Sequence, residues 1–378
     1  MRFWFLSIAI LAAVAAAAFI VKNEFVFYAG YTVLLYVVLA TAWNILGGYA
    51  GYVNFGTPAF FGLGAYTGAV LYKAFALPLG LQIAAAAVMS GLLGLIAGLL
   101  TLRLRGIFFA IATIALVVIM ETVFINWRYA GGATGLQLLR PPPTAPFESY
   151  IKMLFVIMAA MAIGAVAVAR YIQDSWIGRG LRAIRDSEEA AECSGVATLK
   201  LKVFACTVSG ALMGAAGAPM PMYLSFIEPA STFNLNYAVG ALASPMIGGT
   251  AHWGGPVIGA LLLSSLQQYV SVTISNEMNV LVVGVLLVVF VVAAPEGVLG
   301  LLRNAMAPKP WTREAVQRRV VMIPIVIAVG VALGAVLYVL FDFLIAKGER
   351  VIVYSVLALM LPGLLYLAFR FIRWVFNP

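Results

Sequence analysis

Charged side chains are scarce in this chain of 378 residues. Asp, Glu, Lys and Arg together make up only 10% of it, whereas soluble domains contain about 25%. Hydrophobic residues make up 64%, and the mean hydropathy is +1.05. This composition excludes an ordinary soluble protein and indicates that most of the chain lies in a membrane.

Cysteine and histidine are equally rare. Cys193 and Cys206 have neither the number nor the spacing of a disulfide framework or a metal site, so we interpret them as small, unreactive residues. The single histidine, His252, cannot hold a metal ion alone. It lies in a glycine-rich turn, where we expect it to form a hydrogen bond.

Sequence signatures of catalysis are absent. The chain has no GxxxxGK(S/T) loop to hold the phosphates of ATP. It has neither an HExxH helix nor a GxSxG elbow. We therefore predict that the chain is not an enzyme. Ionisable residues within the apolar segments are also fewer than proton-driven carriers usually need.

Long apolar segments predict about twelve membrane-spanning helices. Alternation with period two is absent, which argues against an outer-membrane barrel. The predicted fold class is therefore an all-α polytopic membrane protein. The predicted segments are 3–21, 25–46, 55–75, 79–102, 106–126, 150–170, 200–222, 236–250, 254–274, 280–294, 320–345 and 351–369.

Basic residues predict the orientation of these helices. With the N-terminus in the cytoplasm, sixteen of the 23 Lys and Arg residues fall in cytoplasmic loops and seven fall outside. An excess of basic residues on the cytoplasmic side is typical of membrane proteins. We therefore predict that both termini are cytoplasmic. The net charge of +9 is interpreted as a topology signal rather than as a nucleic-acid-binding surface.

Three regions follow from this threading. Residues 1–303 form a predicted transmembrane domain, 304–319 a basic cytoplasmic linker, and 320–378 a C-terminal extension with two helices. Five predicted spans precede the polar loop 127–149 and five follow it before residue 303. Such an arrangement suggests an internal inverted repeat, which transporters often contain.

The densely charged segment 178–195, GRGLRAIRDSEEAAECSG, contrasts with its apolar surroundings. On the predicted threading it lies in the cytoplasm. We interpret it as a helix that a soluble, energy-supplying partner contacts. The alternative is an ordinary solvated loop.

A second segment, residues 47–68 (GGYAGYVNFGTPAFFGLGAYTG), is rich in glycine and contains Pro58. A proline inside a helix removes a hydrogen-bond donor and clashes with the preceding turn, so we predict a broken or re-entrant helix. Asn54 and Thr57 are candidates for hydrogen bonds to a passing solute, and Glu121 is a candidate for a cationic group. The alternatives are structural: local hydrogen bonds for these polar residues, and close helix packing for the glycines. The GxxxG pairs are Gly64 with Gly68, Gly94 with Gly98, and Gly210 with Gly214.

Five motifs in order carry a family resemblance. They are AWNILGGYAG at 42–51 running to FFGLGAY at 60–66, GGATGL at 131–136, GRGLRAIRD at 178–186 continuing to Lys202, Gly248–Gly249 through GPVIGA at 255–260, and PEGVLG at 295–300. Together they resemble the membrane permease subunit of branched-chain amino acid ABC importers, a family that also serves urea and other small polar solutes. The resemblance covers about residues 25–303.

The resemblance implies a type II ABC importer-like permease with about ten core transmembrane helices plus two C-terminal ones, in the bacterial inner (plasma) membrane. It implies import of an amino acid or a related small polar solute. A coupling helix at about 178–195 would insert the charged side chains, Glu188 among them, into a groove of an ATPase. The implied coupling residues are Arg182, Arg185, Asp186, Glu189, Ala190, Ala191 and Gly195. Our candidate residues of the substrate path, taken from the glycine-rich segment and from the acid in the fifth predicted span, are Tyr52, Asn54, Thr57, Pro58 and Glu121.

The same resemblance implies partners. These are a second homologous permease, two ATPase subunits and a soluble solute-binding protein. No cofactor is expected in this chain, because ATP and Mg would bind the ATPase subunits.

The chain also departs from the family pattern, in ways that bear on the substrate and on the C-terminal boundary. Tyr52 and Asn54 stand where members usually carry a small polar residue such as Gln or Ser, so the solute need not be leucine, isoleucine or valine. The tail 304–378 extends beyond the usual end of the family. The alternative function is an ATP-independent secondary carrier or channel.

Overall fold

The computed structural model describes residues 2–21, 23–104, 106–141, 147–273, 284 and 297–300. This part of the chain is mostly helical, as predicted. The helices are α1 (Arg2–Ile20), α2 (Glu24–Leu46), α3 (Thr57–Phe75), α4 (Leu79–Thr101), α5 (Ile107–Asn126), α6 (Tyr150–Asp174), α7 (Trp176–Asp186), α8 (Glu188–Cys193), α9 (Thr198–Gly217), α10 (Met220–Leu224), α11 (Pro229–Thr232), α12 (Asn236–Gly248) and α13 (Gly254–Thr273). Two short strands, β1 (Leu136–Gln137) and β2 (Phe226–Ile227), pair in antiparallel fashion.

The chain divides into two compact units, 1–264 and 265–378. The first unit contains all the elements above except the end of α13. In the second unit the structure describes only 265–273, 284 and 297–300. The predicted spans 280–294, 320–345 and 351–369 and the predicted linker 304–319 lie outside the described residues, so the division at residue 303 remains a prediction.

The helices follow the remaining predicted spans closely. α1 to α6, α9, α12 and α13 each coincide with a predicted segment to within a few residues. Among the described residues, five helical segments are long and apolar enough to cross a membrane. They are Glu24–Leu46, Leu79–Thr101, Ile107–Asn126, Tyr150–Asp174 and Thr198–Leu224. The membrane character is therefore supported by five helices, and a count of about twelve is not confirmed.

The predicted break in the segment 47–68 lies in its first half. α2 ends at Leu46, residues 47–56 are not helical, and α3 then runs without interruption from Thr57 to Phe75. Pro58 lies in the first turn of α3, where a missing backbone N–H leaves no helical hydrogen bond unmade. Pro58 therefore begins a helix, and the expectation that it breaks one is wrong.

α9 is central to the first unit, because it packs against α2, α3 and α4. The predicted glycine pairs lie in these interfaces. A Cβ built on Gly64 of α3 would collide with the backbone carbonyl of Gly214 in α9. At this contact α3 and α9 approach as closely as glycine alone permits. This confirms that Gly64 and Gly214, one from each of two predicted glycine pairs, serve helix packing.

The loops between the helices gather at two ends of the bundle. At one end, which we call the α7–α8 end, Trp253 and Tyr49 both contact Gln173. The backbone N–H of Trp253 donates a hydrogen bond to Gln173 Oε1 at 2.7 Å, and the Tyr49 hydroxyl donates to the same oxygen at 3.3 Å. Burial raises the pKa of the Tyr49 phenol above its ordinary value.

The opposite end, the β1–β2 end, is held by Arg140. The Arg140 guanidinium donates to the carbonyl oxygens of Met222 at 3.0 Å and Tyr223 at 2.6 Å. It also donates to the Tyr28 hydroxyl at 2.8 Å and lies over that ring. Arg140, in the chain after α5, is thereby joined to α10 and α2.

The contact between Gly64 and Gly214 yields a stability prediction. Gly64→Val should destabilise the protein by about 1–3 kcal/mol, because the added side chain meets backbone that cannot move aside without separating two helices. Thermal unfolding of the purified protein in detergent measures the loss. Gly164→Val is the matched control, because a Cβ at Gly164 in α6 would meet nothing within 4 Å. Equal losses in both variants would contradict the assignment.

Candidate functional site

The charged segment 178–195 forms two helices rather than one. The first, α7, is amphipathic: it buries Leu181 and Ile184 and exposes Arg182 and Asp186. The buried face anchors the helix to the bundle. The exposed charges are therefore available to a partner, as the predicted coupling role requires.

Ser187 separates the two helices and caps the second. Its Oγ accepts a hydrogen bond from the N–H of Ala190 at 3.4 Å, which is the usual N-cap arrangement. Glu188 and Glu189 occupy the first turn of α8, where negative charge is favourable. Glu189 and Ala190 are exposed, whereas Ala191 is buried against the bundle.

Arg185 connects α7 to the glycine-rich segment 47–56. Its guanidinium donates a hydrogen bond to the carbonyl of Gly48 at 2.8 Å. Gly51 lies close beneath the same side chain: its φ is +78°, and a Cβ there would lie 3.2 Å from the arginine Cγ. Glycine accepts this left-handed conformation without a steric penalty, and it leaves room for the arginine.

Lys202 of α9 forms the second connection, and it is almost completely buried, with 2% of its surface exposed. Its ammonium donates to Glu188 Oε1 at 2.6 Å, to the Leu102 carbonyl at 2.9 Å and to the Tyr52 hydroxyl at 3.1 Å. The Tyr52 hydroxyl in turn donates to Glu188 Oε2. We call Tyr52, Glu188 and Lys202 the buried triad.

The buried triad is expensive to disrupt. Lys202 has three donors, and each has a partner in the structure. Removing one member of a buried ion pair typically costs 3–5 kcal/mol, because the other charge is left without compensation, although the intact pair adds little net stability compared with apolar residues. A buried ion pair is therefore better explained by the positions that it specifies than by the stability that it adds.

The placement of Glu188 corrects an expectation. We expected its side chain to project outward with the other charges of 178–195, but both of its oxygens face inward to Lys202 and Tyr52. The sequence alone does not single out Lys202, because a lysine near the start of an apolar helix normally indicates only the orientation of that helix. Its signal in the sequence is its position two residues inside a predicted span.

The start of α3 carries two buried polar groups without partners. Asn54 and Thr57 are 1% and 0% exposed. Asn54 Oδ1 accepts a hydrogen bond from the N–H of Gly56 at 2.7 Å, but its Nδ2 and the Thr57 Oγ1 have no hydrogen-bond partner. Buried polar atoms are normally paired. Several other buried polar atoms of the described residues also lack a partner, Thr41 Oγ1 among them, so this property alone does not mark the path.

Of the other predicted path residues, Pro58 adjoins these atoms, whereas Tyr52 and Glu121 have other positions. Pro58 follows Thr57 in the first turn of α3. The Tyr52 hydroxyl belongs to the buried triad. Thr113 of α5 reaches the start of α3, because its Oγ1 accepts a hydrogen bond from the Phe55 N–H at 3.1 Å. Glu121 lies two turns further along α5, about 12 Å away at 1.5 Å per residue.

No group of three His, Cys, Asp or Glu residues among those that the structure describes could hold a metal ion. His252 forms the predicted turn hydrogen bond, accepting the N–H of Gly254 at Nδ1 over 3.1 Å. Gly195 follows α8 with a φ of +82°. Gly195, a predicted coupling residue, therefore allows the chain to turn at the end of the charged segment.

Comparison with known proteins identifies the family. Residues 25–291 match the family described as branched-chain amino acid transport system, permease component. The chain belongs to this family. The match agrees with the motif resemblance, and the chain is therefore a permease component of an ABC-type branched-chain amino acid transport family and a multi-pass membrane protein.

Individual relatives are distant. The chain is 25% identical to the high-affinity branched-chain amino acid transport system permease protein LivM of Escherichia coli K12 over 329 residues, covering 80% of this chain and 76% of that protein. It is 25% identical to LivH of the same organism over 152 residues, covering 40% and 49%. It is 38% identical to the ribose import permease protein RbsC of Haemophilus influenzae over 108 residues, covering 27% and 33%. No solved structure matches the chain.

The burial of Lys202 yields a second stability prediction. Lys202→Met should destabilise the protein by about 3–5 kcal/mol, because Glu188 keeps its charge in a buried position without a partner. Lys200→Met changes an exposed lysine of the same helix and should alter stability by less than about 0.5 kcal/mol. Thermal unfolding in detergent compares the two variants, and similar midpoints would contradict the assignment.

Proposed function

We propose that this chain is the membrane-spanning permease subunit of an ATP-driven importer for an amino acid or a related small polar solute. It forms the translocation path with a second, homologous permease. Two separate ATPase subunits bind ATP and Mg and drive the cycle, and a soluble binding protein delivers the solute. The chain itself carries no cofactor and catalyses no reaction.

The observation that carries this proposal is the pair of helices α7 and α8. They expose Arg182, Asp186 and Glu189 at one end of the bundle, and they are joined to the helix core through Arg185 and the buried triad. A partner that binds the exposed charges can therefore displace the core. This is what a coupling element between an ATPase and a membrane subunit requires.

The membrane arrangement is part of the same proposal. We place the α7–α8 end in the cytoplasm of a bacterium, with the chain in the inner membrane and both termini cytoplasmic. The type II importer fold, with about ten core helices and two further C-terminal ones, completes this arrangement. The excess of basic residues in the predicted cytoplasmic loops supports the orientation.

The solute class rests on relatives and on the path residues. LivM and LivH are named for branched-chain amino acids and RbsC for ribose, so related permeases serve solutes of different chemistry. We propose that Asn54 and Thr57 approach the solute during transport, because Asn54 Nδ2 and Thr57 Oγ1 are hydrogen-bonding groups that nothing in the chain occupies.

Charge reversal on α8 tests the coupling role. Glu189→Lys should reduce the amount of ATPase that co-purifies with the permease in mild detergent by about tenfold or more. A groove that accepts the Glu189 carboxylate through basic groups would repel a lysine, and like charges brought together at an interface cost several kcal/mol. ATP-dependent uptake of radiolabelled leucine should fall with it. Glu24→Lys is the matched control, because it makes the same change at an exposed residue at the start of α2, at the β1–β2 end.

Two outcomes of that experiment would contradict the proposal. Wild-type uptake by Glu189→Lys would remove α8 from the coupling surface. Uptake by the purified chain alone in liposomes, without ATP or a partner, would instead favour the secondary carrier or channel.

Replacement of Thr57 by valine tests the path. Thr57→Val removes a buried hydroxyl that has no partner, so the thermal midpoint should stay constant or rise. Uptake should nevertheless fall about fivefold or more if the hydroxyl meets the solute. Thr41→Val is the matched control, because Thr41 is also 0% exposed and its Oγ1 also lacks a partner. Equal uptake by both variants would exclude Thr57 from the path.

A further inference from the structure

We propose that Lys202 is a positioning residue that makes α8 and the segment 47–56 move as one body. A displacement of α8 would thereby reach Tyr52 directly, and through it the polar atoms at the start of α3. This inference rests on the proposed function, since it explains how motion imposed on α7 and α8 reaches the predicted path.

The geometry of Lys202 carries the first step. Its ammonium binds three groups from three separate parts of the chain: Glu188 in α8, Tyr52 in the segment 47–56, and the carbonyl of Leu102 after α4. The direct contact between Tyr52 and Glu188 closes the triangle. No member can move alone without losing a buried, charge-assisted hydrogen bond.

Burial makes this connection stiffer than the neighbouring one. Lys202 is 2% exposed and the Glu188 side chain 14% exposed, so water does not readily replace the lost contacts. Arg185 also reaches the segment, through the carbonyl of Gly48. Arg185 is an exposed residue, however, whereas Lys202 is buried. The buried triad is therefore the stronger of the two connections between the charged helices and the segment 47–56.

A short stretch of chain carries the second step. Asn54 follows Tyr52 by two residues and Thr57 follows it by five, which is at most about 18 Å of extended chain. The segment is also held on its far side, because the Trp43 Nε1 donates to the Asn54 carbonyl at 2.7 Å and Phe55 donates to Thr113. A shift of Tyr52 therefore strains the contacts that position Asn54 and Thr57.

Uptake per ATP hydrolysed distinguishes positioning from simple stabilisation. The test uses the complete transporter in proteoliposomes, with radiolabelled leucine as the probe. Tyr52→Phe keeps the ring, which packs edge-on against Phe109 at 5.4 Å between centroids, and removes only the hydroxyl. We expect ATP hydrolysis to continue while uptake per ATP falls about fivefold to tenfold, which is the lower end of the range typical of coupling between sites. Lys202→Met should lower the ratio at least as far, and Lys200→Met should leave it unchanged.

Spin labels measure the joint motion directly. One label is placed on Cys193, which is exposed at the end of α8, and one on Val53→Cys, at a position that is 43% exposed. Cys206 is buried and is replaced by serine. We expect the distance between the labels to stay constant between the nucleotide-free and ATP-bound complexes of the wild type. In the Tyr52→Phe variant, the distribution of distances between the labels should broaden, or its mean should change with nucleotide.

The outcomes separate the two proposals. If Tyr52→Phe and Lys202→Met assemble with the ATPases and retain the wild-type uptake per ATP, the positioning role of Lys202 is wrong while the importer function stands. A label distance that changes with nucleotide in the wild type would overturn it equally. If the wild-type chain binds no ATPase and shows no ATP-dependent uptake, the proposed importer function itself is wrong, and the positioning role of Lys202 is wrong with it.

Discussion

The ion pair between Lys202 and Glu188 is the constraint on which the described functional end depends. A charged lysine with 2% exposure is tolerated only where its donors are matched, and here three segments must meet to match them. That requirement fixes the position of α8 relative to α9. It also fixes where the chain passes between α2 and α3, and so where Tyr52 lies.

Small residues provide the complementary constraint inside the bundle. Gly64 and Gly214 bring the backbones of α3 and α9 into direct contact, so the start of α3 cannot drift away from the helix that carries Lys202. Polar contacts at one end and close packing further along therefore act on the same two helices. In an apolar environment packing of this kind replaces the hydrophobic effect as the force between helices.

Sequence reasoning predicts the helices well, because long apolar segments and the glycine pairs are local signals. It also predicts the interruption after α2, although not that Pro58 would begin the next helix. It cannot predict that Glu188 turns inward, since the residue has the same chemistry as the exposed Glu189 beside it. One of its two partners, Tyr52, is 136 residues away in the chain, and such pairings appear only once the helices are packed. The predicted path is likewise divided, because Glu121 lies two turns of α5 away from the polar atoms that begin α3.

Arg140 has a consequence for recognition at the opposite end of the protein. Its guanidinium binds two carbonyls of α10 and the Tyr28 hydroxyl, and β1 pairs with β2 beside it. These contacts join the described residues around Arg140 without any partner present. A macromolecule that binds this face would therefore spend little of its binding free energy on ordering those residues.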